Sequence, residues 1–483
     1  MAFLPVILWT DALLFLLLAV LAVSAWHVRR HEHLRQPWLR VVRSRAGMSA
    51  AVILSLFVLI GLLDSLHYRP RLTQTDATAY AVETRSVFDL VAGGLRTRVE
   101  KTYSAPLATH LFAMETVDRP DGTQERVFPR LAHGGAHLDD PQAQWGRDVT
   151  RRAVMGLGVA ALLWNLLLAL TAACLARRRR ESFTATWRLV WTGQTVVPWR
   201  EMLIAAGLVL AVFGPMLALA GHYHVLGTDK VGQDVLYLSL KSIRTGLVIA
   251  TLATLVMLPF ALLLGISAGY FRGRIDDIVQ YLYTTLNSIP AVLLIAAAVL
   301  MTQAYMGLHP ELFDTVQQRQ DMRLLFLCLI LGITSWTGLC RLLRGETLKL
   351  RELEYVQAAQ AFGVSSTRIL TRHILPNVMH IVMIAIVMDF SALVLAEAVL
   401  SYVGVGVDPT MISFGTMINA ARLEMAREPM VWWSLASAFA FMFVLVLSAN
   451  LVADAVRDAF DPRISARGAG PDLNAHPAAK ARA

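Results

Sequence analysis

Two carboxylates lie in an apolar stretch of the sequence, where a charge is costly. Asp389 and Glu397 both occur within residues 381–402, whose other side chains are almost all apolar. A charge at the centre of an isolated membrane helix costs at least about 2.5 kcal/mol. We therefore predict that both side chains face a water-filled path or a partner subunit. Asp389 would either line that path or be neutralised by a proton.

The side chains that usually carry catalysis or bind metals form no recognisable site. No Gly-x-x-x-x-Gly-Lys-Ser/Thr phosphate loop occurs, so the chain itself is not expected to bind or cleave ATP. The cysteines lie in apolar segments without disulfide or metal-site spacing, and three histidines of a long polar region are scattered. We predict no catalytic residue, no metal and no cofactor. The side chains considered are Cys174, Cys328, Cys340, His110, His133 and His137.

Composition indicates a membrane protein. Hydrophobic residues make up 56 % of the 483 residues and charged residues 16 %, whereas soluble proteins have about 25 % charged residues. The net charge is +9, but the basic residues occur in short runs beside apolar stretches. Such runs are typical of membrane topology signals rather than of a surface for nucleic acid. We predict an all-α polytopic membrane protein that lies in the lipid bilayer and binds no nucleic acid.

Nine stretches are long and apolar enough to cross a bilayer, which requires about 20 residues. Arginine-rich segments follow the first, third, fifth and seventh stretches, and all lie on one side if all nine cross. By the positive-inside rule that side is the cytoplasm, with the N-terminus outside and the C-terminus inside. The predicted spans are Phe3–Trp26, Ala50–Leu66, Ala153–Leu175, Met202–Ala220, Gly246–Tyr270, Val279–Met301, Leu324–Cys340, Ile381–Tyr402 and Val431–Val452.

The polar region between the second and third spans is predicted to form a small folded extracytoplasmic insert. Residues 79–82 alternate in polarity, and Pro120-Asp121-Gly122 and Gly134-Gly135 are turn signals. The tail after Pro462 is rich in Ala, Gly, Pro and Arg, which predicts disorder. Trp432 and Trp433, at the start of the last span, are expected to be anchors at the lipid interface.

The segment between the seventh and eighth spans predicts a helical hairpin. Good helix formers run from Glu346 to Phe362, and Gly363 fits a helix C-terminal cap with positive φ. Ser365 or Ser366 could cap a second helix, which Pro376 would end. Such a hairpin, charged on one side and small or apolar on the other, suits docking into the groove of a partner.

This segment resembles the "EAA" loop of bacterial ABC importer permeases, in which Glu-Ala-Ala is followed by Gly and later by Leu-Pro. Here Gln357-Ala358-Ala359 replaces the triplet, Gly363 has the required offset, and Leu375-Pro376 closes the pattern. Gln357 and His373 depart from the general pattern but match residues that are common at these positions in the peptide branch of the family. The resemblance implies that separate ATPase subunits dock on this loop. The implied docking residues are Glu354, Tyr355, Gln357, Ala358, Ala359, Gly363, Arg368, His373 and Pro376.

Other segments resemble the dipeptide and oligopeptide permeases of the same family. Residues 227–236 are similar to their Gly-Thr-Asp-x-x-Gly-Arg-Asp stretch, and residues 397–406 to their Glu-Ala-x-Leu-Ser-Phe-Leu-Gly-x-Gly stretch. Asn287–Pro290 resembles their proline motif, and residues 456–463 their C-terminal ending. The resemblance covers about residues 202–463. It implies a gating or packing role for Glu397. The implied path or gate residues are Asp229, Pro290, Asp389 and Glu397.

The resemblance implies a permease that couples to ATPases through the hairpin of residues 346–376 and carries peptides across the bacterial inner membrane. Its implied partners are a second homologous permease, two ATPase subunits and a soluble extracytoplasmic binding protein. A nickel importer permease of the same branch and a secondary active transporter are the alternatives. The expected division is a two-span extension at 1–66, the insert at 67–151, a third span with a basic linker at 152–200, the permease core at 201–462 (main part 243–457) and the tail at 463–483.

Overall fold

The computed structural model describes residues 3–71, 80–118, 124–313 and 315–460. Within them, nine helical segments are long and apolar enough to cross a membrane, which confirms the predicted number of spans and the all-α membrane class. The predicted turn at residues 120–122, Ala79 and the tail from residue 463 lie outside the described residues. The nine segments are Trp9–Arg30, Arg45–Asp64, Pro141–Arg179, Trp199–Ala220, Val235–Phe271, Ala291–Leu308, Val316–Arg351, Ser366–Tyr402 and Trp433–Phe460.

Short strands and mostly long helices follow one another along the described chain. The strands are β1 (Phe3–Val6), β2 (His67–Pro70), β3 (Arg85–Ser86), β4 (Glu115–Asp118) and β5 (Gln124–Val127). The helices are α1 (Trp9–Arg30), α2 (Glu32–Arg43), α3 (Arg45–Asp64), α4 (Val87–Val91), α5 (Gly93–Thr97), α6 (Pro141–Arg179), α7 (Phe183–Thr192), α8 (Trp199–Ala220), α9 (Val235–Phe271), α10 (Gly273–Ser288), α11 (Ala291–Leu308), α12 (Val316–Ser335), α13 (Thr337–Arg351), α14 (Glu354–Ala361), α15 (Ser366–Ile369), α16 (Leu375–Tyr402), α17 (Phe414–Glu424) and α18 (Trp433–Phe460).

The boundaries of all nine spans differ from the predicted ones, and in two of them another structural element or a break explains the difference. The first does not begin at Phe3, because residues 3–6 form β1, which pairs antiparallel with β2. The sixth is not one helix over residues 279–301. It is divided at Pro290, where α10 ends and α11 begins. Proline has no N–H to continue the helical hydrogen bonds, which explains the break.

Helix α9 is the central element of the fold and connects its two ends. It has 37 residues and is therefore about 55 Å long. Near its C-terminal end, Gly265 and Gly269 face α13 at very close range. A methyl group on Gly265 would lie 2.8 Å from the Cys340 carbonyl oxygen, and one on Gly269 would lie 2.7 Å from the Arg344 carbonyl oxygen. Only glycine permits so close a helix contact.

Two opposite faces of the molecule follow from the length of α9. We call the side with residues 67–140 and the N-terminal end of α9 the insert face. We call the side with residues 351–377 and the C-terminal end of α9 the hairpin face. At the hairpin face, α2 packs beside the last turn of α18, where the rings of Trp38 and Phe460 are 5.3 Å apart.

The insert contains β2 and β3, which form a three-stranded sheet with β1 of the N-terminal extension in the order β1-β2-β3, a separate β4-β5 hairpin and the two short helices α4 and α5. It packs directly onto the loop that precedes α9. The backbone N–H of Ser104 donates to the Thr228 hydroxyl at 2.6 Å, and a methyl group on Gly232 would lie 1.8 Å from the Glu100 carbonyl oxygen. Insert and core therefore share one interior.

Trp433 belongs to this shared interior. Its indole N–H donates to the Thr228 carbonyl oxygen at 3.0 Å, and only 2 % of its surface is exposed. The prediction that Trp433 anchors the chain at the lipid interface is therefore wrong. Its neighbour Trp432 is 54 % exposed, as an interface anchor would be.

Candidate coupling hairpin and transport path

The hairpin begins with a break that the sequence did not suggest. The predicted continuous helix from Glu346 to Phe362 is wrong, because α13 ends at Arg351 and α14 begins at Glu354. Gln357 stands beside this break, and its side-chain amide donates to the Glu352 carbonyl oxygen at 3.3 Å. Glu352 also forms an ion pair with Arg272. The first arm of the hairpin is thus the short helix α14.

Gly363 turns the chain at the tip of the hairpin. Its φ is +71°, which confirms the predicted C-terminal cap with positive φ. The backbone N–H of Val364 donates back to the Ala359 carbonyl oxygen at 3.1 Å. A side chain at Gly363 would meet no atom within 4 Å. Glycine is therefore favoured by its backbone conformation and not by lack of space.

The second arm runs directly into the eighth span. Helix α15 begins after Ser365, although neither Ser365 nor Ser366 caps it through its side chain. A π-helical turn at Leu370–Ile374 leads into α16. Pro376 lies in the first turn of α16, so the prediction that it ends the helix is wrong. Proline is tolerated there because the π-helical turn directly before it already changes the helical hydrogen-bond pattern.

The inner side of the hairpin is apolar and buried. Val356, Ile369 and Ile374 have no exposed surface and pack in one cluster with Tyr270. Polar contacts reinforce this attachment. The Arg351 guanidinium donates to the Tyr270 carbonyl oxygen at 2.7 Å, and the Gln360 amide donates to the Tyr270 hydroxyl at 3.3 Å. The hairpin is therefore held rigidly against the end of α9.

The two arms are also tied to each other. The Asn377 amide donates to the Tyr355 hydroxyl at 3.1 Å and to the His373 carbonyl oxygen at 2.6 Å. The rings of Tyr355 and His373 lie 5.9 Å apart. The structure thus brings Tyr355 of the first arm and half-buried His373 of the second together.

The outer side presents the other predicted residues to solvent. Of the alanine pair, Ala358 is exposed and Ala359 is half-buried against the inner cluster. Phe362, directly before the turn, is 87 % exposed. It was missed among the docking residues, although a large apolar residue beside a tip glycine is a readable signal. The exposed predicted residues are Glu354, Tyr355, Gln357, Ala358, Gly363, Arg368 and Pro376.

Glu397 lies in the interior of the protein near the insert face. It is 1 % exposed and accepts hydrogen bonds from the hydroxyls of Ser401 at 2.7 Å and Ser413 at 2.8 Å. A methyl group on Gly415 would lie 2.9 Å from its carboxylate. Glu397 thus joins α16 to the start of α17. The expectation that it faces a water-filled path or a partner does not fit this position.

The three other predicted path residues lie apart from Glu397. Asp389 is half-buried on α16 and has no hydrogen bond or ion pair with a described residue. Pro290 is exposed at the break between α10 and α11. Asp229 shapes the loop before α9 by accepting the backbone N–H groups of Val231 at 3.0 Å and Gln233 at 2.8 Å. These residues do not form one site.

A buried charge cluster joins the insert to the core. Glu100 accepts the backbone N–H groups of Ala132, His133 and Gly134 at 2.8–3.1 Å. The His224 ring contacts Glu100 at 3.3 Å and Asp234 at 2.8 Å. Burial opposes the charged form of Glu100, but the His224 and backbone hydrogen bonds outweigh it and lower the pKa to about 2.

His224 is charged in this cluster. Burial alone would lower its pKa, but the hydrogen bonds to Asp234 and Glu100 raise the pKa to about 9. Within the described residues, no group of three or more His, Cys, Asp or Glu side chains could hold a metal ion. The cluster is therefore an internal ion network that fastens the insert to the core.

Comparison with known proteins places the sequence of this chain in a family. Residues 261–466 match the family described as "Binding-protein-dependent transport system inner membrane component". The oligopeptide transport system permease protein OppC of Mycobacterium tuberculosis is 32 % identical over 250 residues, which cover 52 % of this chain and 79 % of that protein. The glutathione transport system permease protein GsiD of Pectobacterium atrosepticum is 29 % identical over 318 residues, which cover 59 % of this chain and 98 % of that protein.

A solved structure, the inward-facing MetNI methionine ABC transporter, matches with a TM-score of 0.37 and 15 % identity, over 47 % of this chain and 98 % of that one. The family match begins at residue 261, so residues 1–260 lie outside it. Sequence similarity alone carries the assignment: the chain belongs to the binding-protein-dependent transport system inner-membrane components, the multi-pass permease subunits of ABC importers.

Proposed function

We propose that this chain is one permease subunit of an ATP-driven importer that takes up peptides. The relatives named above are an oligopeptide permease and a glutathione permease, and both cargoes are peptides. This supports peptides over nickel as the cargo. A second homologous permease would complete the path, and a soluble binding protein would deliver the cargo.

The arginine-rich segments support an orientation for the chain. They follow the first, third, fifth and seventh spans, which end at the hairpin face. By the positive-inside rule the hairpin face is cytoplasmic and the insert face extracytoplasmic. The N-terminus is then outside, and α18 ends in the cytoplasm.

The observation that carries the coupling role is the tip of the hairpin. Phe362 is 87 % exposed on a segment whose inner side is firmly packed. A large apolar side chain on a rigid support is a typical anchor for a partner's pocket. The second arm continues through the π-helical turn into α16. A partner that moves the tip would therefore move the eighth span directly.

ATP hydrolysis would occur on two ATPase subunits that dock at this tip. Glu354, Tyr355, Gln357, Ala358 and Arg368 would surround Phe362 in the contact. A secondary transporter needs no such docking surface, which is why the importer is favoured over that alternative.

The test is purification of the tagged full-length chain from its own host in mild detergent, with identification of co-purified proteins and an ATPase assay. Wild type is compared with Phe362→Ser, which removes the anchor without disturbing any buried contact. Leu90→Ser is the matched control, because Leu90 is 70 % exposed at the opposite face. We expect Phe362→Ser to reduce the recovered ATPase at least about 10-fold, and Leu90→Ser to leave it unchanged.

Two results would contradict parts of this proposal. If wild type purifies without an ATPase and its vesicles transport substrate without ATP, the chain is a secondary transporter. If the ATPase is recovered equally with Phe362→Ser and wild type, the importer stands but the hairpin tip is not its docking site.

A further inference from the structure

Two adjoining cavities lie at the insert face between the N-terminal extension and the core. The first has a volume of about 280 Å³ and the second about 340 Å³. Both are lined by Leu8, Thr84, Gln317 and Asp321, so they meet at these side chains. Their walls combine the start of the chain, β2 and the insert with α9 and α12 of the core.

Most charged side chains of the first cavity neutralise one another. Arg244 donates to Asp11 at 2.6 Å, and Lys241 lies 2.6 Å from Asp89 and 3.5 Å from Asp64. Arg96 is paired with Glu83. The pairs of Arg244 and Lys241 fasten the extension and the insert to α9, and the four pairs together leave little charge for a ligand.

Asp321, which lies where the cavities meet, is different. It is 4 % exposed, and no basic nitrogen of a described residue lies within 4.0 Å of its carboxylate. Its two described hydrogen bonds come from the backbone N–H and the hydroxyl of Thr10. A carboxylate can accept about four hydrogen bonds, so Asp321 retains capacity for another donor. Burying a carboxylate without a cationic partner costs free energy, and a bound ligand with a positive charge would remove this cost.

The second cavity is lined by a basic side chain that also has no ion-pair partner. Arg69 lines it, and the buried Nε of this guanidinium has no hydrogen-bond partner. No ion pair joins Arg69 to a described acidic residue. Thr84, whose buried hydroxyl is also without a partner, lies in both cavities. Four buried side-chain nitrogen or oxygen atoms of the described residues have no hydrogen-bond partner, and two of the four belong to residues that line the second cavity.

The remaining wall of the second cavity is largely apolar. It includes the aromatic rings of Trp9, Tyr305, Phe313 and Phe326. Apolar walls with a few unpartnered polar groups are the usual form of a small-molecule site. An unpaired carboxylate, an unpaired guanidinium and an apolar wall between helices are complementary to a zwitterion with an apolar side chain.

We propose that these cavities form a binding site for a short peptide with free termini, built jointly by the N-terminal extension and the permease core. Asp321 receives the ammonium group, Arg69 receives the carboxylate, and Thr84 bonds the peptide between them. The aromatic wall holds an apolar side chain. This inference rests on the proposed peptide import and gives the extension a role in selecting the cargo.

The first test needs no variant. The full-length wild-type chain in lipid nanodiscs is titrated with the dipeptide Ala-Phe, with N-acetyl-Ala-Phe and with Ala-Phe amide, and binding is followed by calorimetry. Because each blocked terminus leaves a buried charge unpaired, we expect each analogue to bind at least about 10-fold more weakly than Ala-Phe. Equal affinities for all three, or no binding of Ala-Phe, would overturn the proposal.

Variants then assign each terminus to its residue. Asp321→Asn should weaken binding of Ala-Phe but not further weaken that of N-acetyl-Ala-Phe. Arg69→Gln should show the same pattern with Ala-Phe amide. Matched controls are Glu311→Gln and Arg71→Gln, exposed neighbours that line neither cavity. If Asp321→Asn and Arg69→Gln bind all probes like wild type, the assignment is wrong.

This test is separate from that of the proposed function. Peptide binding is measured on the chain alone, whereas the importer role is measured by recovery of the ATPase. Recovery of the ATPase together with equal affinities for the three probes would remove the site and leave the importer. Binding of Ala-Phe with the expected preference, but without an ATPase, would leave the site and remove the importer.

Discussion

The hairpin face and the insert face use their polar and apolar groups in opposite ways. At the insert face, buried charges such as Glu100 and His224 are satisfied within the chain. At the hairpin face the polar residues of α14 are mostly exposed, and Phe362, the large apolar side chain at the tip, is 87 % exposed. A hydrophobic side chain left outside a packed structure indicates a surface that a partner covers.

The residues that stabilise the fold and those that contact partners therefore lie at opposite faces of the molecule. Changes at the insert cluster should lower the free energy of unfolding, because buried ionic groups tolerate the loss of a partner poorly. Changes at the hairpin tip should leave the fold intact and affect only association with other subunits. Each of the following changes tests that division.

The largest effect is expected from Gly363→Val. Its φ of +71° is strongly unfavourable for a β-branched residue, so the tip must change its conformation. We expect ATPase activity of the assembled importer to fall at least about 10-fold, with the melting temperature of the chain almost unchanged. Gly363→Asn, which tolerates positive φ, should retain most activity.

Gly345→Ala is the matched control for the hairpin variant. Gly345 lies within α13, and a methyl group there meets no atom within 4 Å. Activity equal to wild type is expected. Full activity of Gly363→Val would show that the tip conformation has no part in coupling.

Glu100→Gln should have the next largest effect, on stability alone. The carboxylate is 6 % exposed and serves three backbone N–H groups and His224. Breaking a buried ion pair costs about 3 kcal/mol, so the thermal midpoint in detergent should fall by several degrees. Glu115→Gln, which breaks the more exposed pair with Lys101, should cost less than about 1 kcal/mol.

A clear loss of ATPase docking in Glu100→Gln at temperatures where it remains folded would contradict the separation of the two faces. Equal melting temperatures of Glu100→Gln and Glu115→Gln would show that the insert cluster does not stabilise the fold.

The insert cluster should also make stability depend on pH. The pKa of His224 is raised from 6.5 to about 9, so its contribution is complete below pH 6.5 and is lost as the pH rises through 9. The pKa of Glu100 is lowered from 4.5 to about 2, so its contribution is complete above pH 4.5 and is lost as the pH falls through 2. Both are complete between pH 4.5 and 6.5.

Melting temperatures measured from pH 6 to 10 check this dependence. Wild type should lose stability between about pH 6.5 and 9, and His224→Gln, though less stable, should lose much less over that interval. His133, whose ring lies 3.7 Å from Glu100, is left in place in both proteins. Parallel curves for the two proteins would assign the pH dependence to another group.

The smallest effect is expected from Asn377→Ala. The variant removes the bond to the Tyr355 hydroxyl, which ties the two arms together at an exposed position, and the bond to the His373 carbonyl oxygen within the second arm. A hydrogen bond of this kind contributes about 1 kcal/mol. Coupled ATPase activity should fall less than about 5-fold, while Asn165→Ala, at an exposed position of α6, should have no effect. A loss as large as that of Gly363→Val would mean that the arms are held together mainly by this residue.

Local patterns in the sequence predicted the spans and the hairpin turn well. Apolar length alone determines whether a helix can cross a membrane, and positive φ at Gly363 follows from its position after a run of helix formers. The features that were missed depend on contacts between distant parts of the chain. Phe3 looked like the start of a span because its strand partner β2 lies more than sixty residues away.

The roles of individual side chains were harder to predict for the same reason. Trp433 has the sequence context of an interface anchor, yet it is buried, and the loop before α9 supplies the Thr228 carbonyl oxygen as its acceptor. Pro376 has the context of a helix stop, yet the π-helical turn before it places it in a first turn. Glu397 could be recognised as a costly charge, but its serine partners could not be assigned from spacing alone.

Helix α9 connects the two faces mechanically, so that a movement at one face can reach the other. A tilt of about 5° displaces the far end of a rod about 55 Å long by about 5 Å. The glycines at 265 and 269 clamp one end of this lever to α13, and Arg244 and Lys241 at the other end hold the extension. Small rotations at the clamp would thus be delivered, enlarged, to the extension side of the molecule.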